Sequence, residues 1–229
     1  MTQMTDQTPF ERHAWPKHIE AHALEQAPVA RLFGYEIDSD LAKHYSFAEL
    51  VLLSLTGELS SDAVGKAFEC LLFHAATLSV ADAPMHAAVL ARLCGARTGG
   101  VLGVAAMALG EQVETPVATI LVELKNGKLE PDHRAASGAE RARVTRLAGS
   151  ISSLLDVPAL TLDPSYDVAL VACMWACGLR DSARIVAALC LARLPLACAE
   201  VFCTKPGDFK TYPIDTPHFE YVAPVKESR

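Results

Sequence analysis

The sequence is poor in aromatic residues, at 7%, and nearly lacks sustained β-branched runs, so it offers little from which to build sheets. It also has no basic block. Acidic side chains number 27 against 20 basic ones, for a formal charge of −7, and a chain without net positive potential is a poor general binder of nucleic acid. The densest basic group, Arg141, Arg143 and Arg146 with Glu140 among them, reads as a solvated helix face. No span supplies the roughly 18 to 20 uncharged apolar residues of a bilayer crossing. The best candidates, Thr98 to Gly110 and Val168 to Leu179, have the length of core helices. Asp6, Glu11 and Arg12 stand where a signal peptide would be apolar, so the expectation is a cytoplasmic protein. No internal repeat is present.

Metal and disulfide signals are equally thin. The 7 cysteines are an odd number, and most fall in apolar helical stretches, where reduced thiols behave as small hydrophobes. Cys173 and Cys177 share a helix face but have no further ligands nearby. His18 and His22 have metal-compatible spacing, yet they lie on a proline-containing arm that makes a poor cage. No metal is expected.

What the chain does have is alanine and leucine, 37 and 29 residues respectively, within a composition that is 51% apolar and 21% charged. That mixture builds a helical core. Ser46 and Glu49 have the spacing of a capping box, followed by an apolar run to Leu55 and a stop at Gly57. A second helix is expected from Ser60 or Ser61 to about Leu78. Two more, His86 to Cys94 and Val101 to Gly110, flank a glycine-containing turn. Val117 to Leu124 is either a short strand or a helix continuation. Further helices are expected from Ala139 to Leu155, Asp167 to Cys177 and Asp181 to Phe202, the last kinked at Pro195. Helix after helix joined by short turns is an all-α fold.

Several of these segments, in this order, resemble a known family. Gly34-Tyr35-Glu36-Ile37, Asp40-Leu41-Ala42, the run Ser46-Phe47-Ala48-Glu49-Leu50-Val51-Leu52-Leu53 and Gly57-Glu58-Leu59 resemble the opening of citrate synthases and citryl-CoA lyases. His86-Ala87-Ala88 through Cys94-Gly95-Ala96 resembles that family's H-A-A segment, and Val101 to Gly110 its A-L-G helix. Arg193-Leu194-Pro195 and Glu220-Tyr221-Val222-Ala223-Pro224 are similar to its R-x-P-G helix and Y-x-G-P terminus. The resemblance implies a citrate-synthase-like helical large domain in two parts, 31–112 and 161–203. Between them would lie a trimmed small-domain segment, 113–160, with an N-terminal arm at 1–30 and an extended tail at 204–229.

The resemblance also implies a reaction: making or breaking a carbon–carbon bond between an acyl-CoA and a keto acid. A coenzyme A thioester would be the substrate, with a pocket for a di- or tricarboxylate. A carboxylate takes the proton beside the thioester carbonyl, one histidine donates to the enolate and a second polarises the keto group. Such donors matter because they meet charge present only in the transition state.

The family's first histidine, in H-G-G-A, has no counterpart here. That stretch reads Gly110-Glu111-Gln112-Val113, and Gln112 is the candidate replacement donor. His133 stands at a place compatible with the second histidine, without its flanking glycine and proline, and also reads as an exposed loop residue. Asp167 matches the carboxylate by its spacing from Gly178-Leu179 and equally suits a helix N-cap. His86 matches a family histidine near the cleft, or is a satisfied interhelical residue. Arg193 matches an arginine for a substrate carboxylate, or forms a surface ion pair. Arg92 is the candidate replacement for an arginine whose family position is Val89. A homodimer is implied. The missing histidine keeps open a second expectation, a non-catalytic subunit that forms a hetero-oligomer with a full-length paralogue.

Overall fold

The computed structural model describes residues 20–25, 28–79, 81–135 and 137–207. His18, the start of the arm and the tail beyond Gly207, with its Glu220 to Pro224 motif, lie outside them. The chain divides into two units, 1–59 and 60–229.

In the first unit, Leu24–Glu25 (β1), Arg31–Leu32 (β2) and Tyr35–Glu36 (β3) form a small antiparallel meander. Leu24 pairs with Leu32, and Leu32 with Tyr35, so part of the expected arm is built into structure. A π-helical turn, Ile37–Leu41, leads into the short helix α1, Ala42–His44. Helix α2, Phe47–Thr56, begins at the expected capping box. The Glu49 amide donates to Ser46 Oγ at 3.2 Å, and the Ser46 amide donates to the Glu49 carboxylate at 2.8 Å. The helix ends at Gly57. Leu32, Leu41 and Leu53 form the buried centre of this unit.

The second unit is helical among its described residues: α3 Asp62–Ala75, α4 Ala83–Leu93, α5 Thr98–Asn126, α6 Gly138–Ile151, α7 Tyr166–Ala176 and α8 Ser182–Cys203. Helix α5 departs most from the sequence reading. It does not stop at Gly110 but continues as one 29-residue helix to a left-handed cap at Gly127. The reason is its stripe of buried residues, Val101, Ala105, Leu109, Val113, Val117, Ile120 and Leu121, spaced to lie on one face. An interior glycine costs only about 1 kcal/mol, too little to end a helix with so long a seam. Val117 to Leu124 is therefore helix, and the expected boundary between 112 and 113 falls inside α5. Pro116 in α5 and Pro195 in α8 both sit within unbroken helices.

Helices α4, α5 and α8 pack together around Met85, Ala88, Val101, Ala105, Ala197 and Val201. Three of these six are fully buried alanines, and their small side chains let the helix backbones approach closely. Helix α7 buries Tyr166 and every residue from Val168 to Met174, as expected of a helix enclosed by α3, α6 and α8. Cys173 and Cys177 lie in this core, where burial pushes both thiols up to about 12, leaving them inert at neutral pH. Cys94 and Cys203, by contrast, are exposed. Helix α8, not singled out above as a candidate span, is long and apolar enough to cross a membrane by composition, its most apolar 18-residue stretch having a mean hydropathy of 2.0. It also carries Arg184, Arg193 and Glu200 and packs on α3, α4 and α5.

The arginines of α6 are not a plain solvated face. Arg141 pairs with Asp163 at 3.2 Å and donates to the Ala135 carbonyl. Arg143 lies over the Tyr166 ring at 3.8 Å and donates to Thr77 Oγ1. These contacts pin α6 to the start of α7 and the end of α3. Past α8 the chain returns to α4: a Cβ on Gly207 would stand 2.4 Å from the Leu93 carbonyl oxygen, so only glycine fits there.

Candidate functional site

The start of α7 is set by its flanking residues. Ser165, and not Asp167, is the N-cap: its hydroxyl accepts from the Val168 amide at 3.4 Å. A serine oxygen reaches the third helical amide from that position, so Asp167 falls in the first turn with its carboxylate released from capping. The Tyr166 amide donates to Glu140 on α6 at 3.0 Å. The Tyr166 hydroxyl donates to the His74 carbonyl at 2.8 Å, and burial, with Arg146 and Arg143 nearby, holds His74 below its ordinary value.

Beside Asp167 is a cavity of about 270 Å³ between α5, α7 and α8. Its apolar wall comes from Val113, Pro116, Val117 and Ile120 of α5, Leu170 and Val171 of α7, and Leu189 of α8. Its polar groups are Gln112, Asp167 and Arg193. Three residues distant in sequence, each singled out there, thus line one space. Arg193 is anchored by its Nε, which donates to the Ala75 carbonyl at the end of α3 at 3.2 Å. Its terminal nitrogens have no partner among the described residues, and an arginine held in this way can receive a carboxylate in bidentate fashion.

His133, His86 and Arg92 are not among the residues that line this cavity. His86 is exposed in the first turn of α4. Arg92, in the last turn of α4, has a buried Nε without a hydrogen-bond partner. His133 lies closer to the start of α7, because its carbonyl accepts from the Ser165 amide at 2.8 Å and the adjacent Arg134 bridges to Pro164.

His133 also has a partner that sequence reasoning missed. Glu123, near the end of α5, is the buried charged residue among those described, at 9% exposure. Both of its carboxylate oxygens lie 2.8 Å from His133 Nδ1, and one accepts from the Glu130 amide at 3.1 Å. An acidic residue three positions after Ile120, within an otherwise apolar buried face, was the available signal. The hydrogen bond from His133, aided by the Glu130 amide and opposed by burial, holds the carboxyl below its ordinary value of 4.5. The folded chain therefore binds that proton less readily than the unfolded chain. The resulting stabilisation is complete above about pH 4.5 and is lost as pH falls through the lower folded value. Urea unfolding should show Glu123→Gln destabilised at pH 7, with the gap to the parent narrowing below pH 4.5. A gap independent of pH would refute that assignment.

Among the described residues no group of three or more His, Cys, Asp or Glu side chains could hold a metal.

No family model matches the sequence, and no curated protein matches it. Solved structures do. The citryl-CoA lyase of Hydrogenobacter thermophilus superposes with a TM-score of 0.67 at 16% identity, over 92% of this chain and 97% of that one. A mutant ATP citrate lyase from Methanosaeta concilii, solved with (3S)-citryl-CoA, gives 0.62 at 11% identity over 93% of this chain. The ATP citrate lyase of Methanothrix soehngenii, solved with citrate and coenzyme A, gives 0.63 at 11% identity over 96%. This chain spans 43% and 44% of those two longer proteins. The fold is thus the all-α fold of the citrate synthase and citryl-CoA lyase group.

Proposed function

We propose that the chain acts on a citryl-CoA-like thioester, cleaving or forming the carbon–carbon bond between an acyl-CoA and a keto acid. The observation that carries this reading is the convergence of Gln112, Asp167 and Arg193 on one cavity in a chain with a citryl-CoA lyase fold. In the synthetic direction Asp167 removes the proton beside the thioester carbonyl, and Arg193 holds a carboxylate of the second substrate. Gln112 stands on the stretch that lacks the H-G-G-A histidine and donates its amide N–H to the enolate oxygen. A neutral amide is a weaker partner for that charge than an imidazole in the same place, so turnover is slow or depends on a partner chain. His133, outside the cavity's lining but tied to the start of α7 through Ser165, is assigned to the keto oxygen. Homodimerisation belongs to the same reading.

Thermal unfolding with and without ligand tests it. Coenzyme A and citrate, each at a hundred times its dissociation constant, should add about 2.7 kcal/mol, or about 5 to 11 °C for a domain of this size. Arg193→Gln should abolish the citrate shift and keep the coenzyme A shift. If neither ligand moves the parent's melting temperature, the enzyme reading fails. The missing histidine favours a second reading, a non-catalytic subunit of a full-length paralogue. Activity of the chain by itself would eliminate it.

A further inference from the structure

His133 is a weak candidate when taken as an isolated loop histidine, but the structure does not leave it isolated. We infer that Glu123 is a positioning residue that fixes the tautomer of His133, so that His133 Nε2 exchanges a proton with the substrate's hydroxyl or keto oxygen. The inference rests on the role proposed above for His133 and adds the group through which that role is set.

Three observations carry it. First, an ionised carboxylate only accepts hydrogen bonds, so two carboxylate oxygens 2.8 Å from Nδ1 require the proton to sit on Nδ1. Nε2 is left without a partner among the described residues, available as a base when the ring is neutral and as a donor when it is charged. Second, Glu123 is itself held. It projects from α5, the helix that also supplies Gln112 to the cavity, and the Glu130 amide occupies one of its oxygens. Third, the His133 backbone is tied through the Ser165 amide to the N-cap of the helix that carries Asp167, two residues from that carboxylate, with the side chain outside the cavity's lining. The charged groups that act on the Glu123 carboxylate are confined to His133, while Asp132 and Arg134 flank the histidine in its loop and Lys125 is drawn away over the Trp175 ring.

The chemistry balances without any further reagent. In cleavage, Nε2 takes the hydroxyl proton and the oxygen's electron pair forms the carbonyl. The adjacent carbon–carbon bond then breaks, its electrons passing into the thioester enolate, and protonated Asp167 returns a proton to that carbon. In synthesis each transfer runs in reverse, with the imidazolium donating to the alkoxide as it forms.

The test combines kinetics with a readout that needs no turnover. Imidazole nitrogen NMR of the full chain should show His133 protonated on Nδ1 when neutral. In Glu123→Gln the neutral ring should lose that fixed preference and populate both tautomers. Glu123→Gln should lower kcat about ten- to a hundredfold and leave KM within about threefold. Glu123→Asp should restore part of the rate. Combining Glu123→Gln with His133→Ala should cost no more than His133→Ala alone, because the two act as one unit. An active parent with Glu123→Gln at full kcat would reduce the contact to a loop clip and overturn the inference, as would a neutral His133 protonated on Nε2. A parent that turns over no thioester would instead remove the functional reading, and with it the role assigned to the pair.

Discussion

Asp167→Asn should reduce turnover of citryl-CoA by about a hundred- to ten-thousandfold, the range for loss of a positioned acid or base. The substitution keeps the shape of the side chain and removes its charge. Folding should survive it, because the cap of α7 is Ser165. A carboxylate in the first turn contributes only about 0.3–1 kcal/mol with the helix dipole. KM should change little if the carboxylate works mainly in the transition state. Exchange of the acyl methyl protons of acetyl-CoA with deuterated solvent, followed by proton NMR, isolates the step proposed for Asp167 from the rest of the reaction. Loss of both exchange and turnover in a folded variant is the expected result. Exchange at the parental rate would show that another group is the base.

Phe68→Ala should be among the most costly single substitutions for stability. Phe68 lies on α3 with no exposed surface, on a buried face with Ala67, Leu71 and Ala75, and α3 packs against α6, α7 and α8. Emptying such a site costs about 3–5 kcal/mol, because the neighbours close the cavity only in part. For a domain of this size that corresponds to about 6 to 20 °C in melting temperature. Phe73, five residues later on the same helix and 76% exposed, is the control, and its alanine variant should stay within about 0.5 kcal/mol. Equal losses at the two positions would mean that the assigned burial of α3 is wrong. The loss should also reach the cavity, since the Ala75 carbonyl that anchors Arg193 belongs to this helix.

Local chemistry explains which parts of the fold were legible in the sequence. The capping box at Ser46 and Glu49 and the stop at Gly57 are short-range signals, and both are present in the structure. The helix expected over Val101 to Gly110 runs on to Asn126, because the buried seam that continues past Gly110 decides the outcome. Asp167 and Ser165 stand two residues apart and both suit a cap, so composition could not separate them. The geometry of the first turn does. The gathering of Gln112, Asp167 and Arg193 was suggested by a resemblance between motifs, not by any periodicity, since nothing local connects residues on three helices. Of the Glu123–His133 contact only one side was legible: Glu123 interrupts the apolar buried face of α5, and nothing local names His133 as its partner. The contact spans a turn between a helix end and a loop, where neither hydrophobic period nor motif spacing applies.

The unbroken course of α5 also limits how this chain can vary. Gln112 and Glu123 are separated by about three full turns, so they face nearly the same side of one rod. One residue inserted between them would turn one against the other by about 100°, and no neighbouring loop could absorb the rotation. Length changes should therefore be excluded from this stretch of α5 in functional descendants, while the loop from Lys128 to Ser137 can change length wherever its hold on His133 is kept. The helix acts as a ruler whose divisions are whole turns.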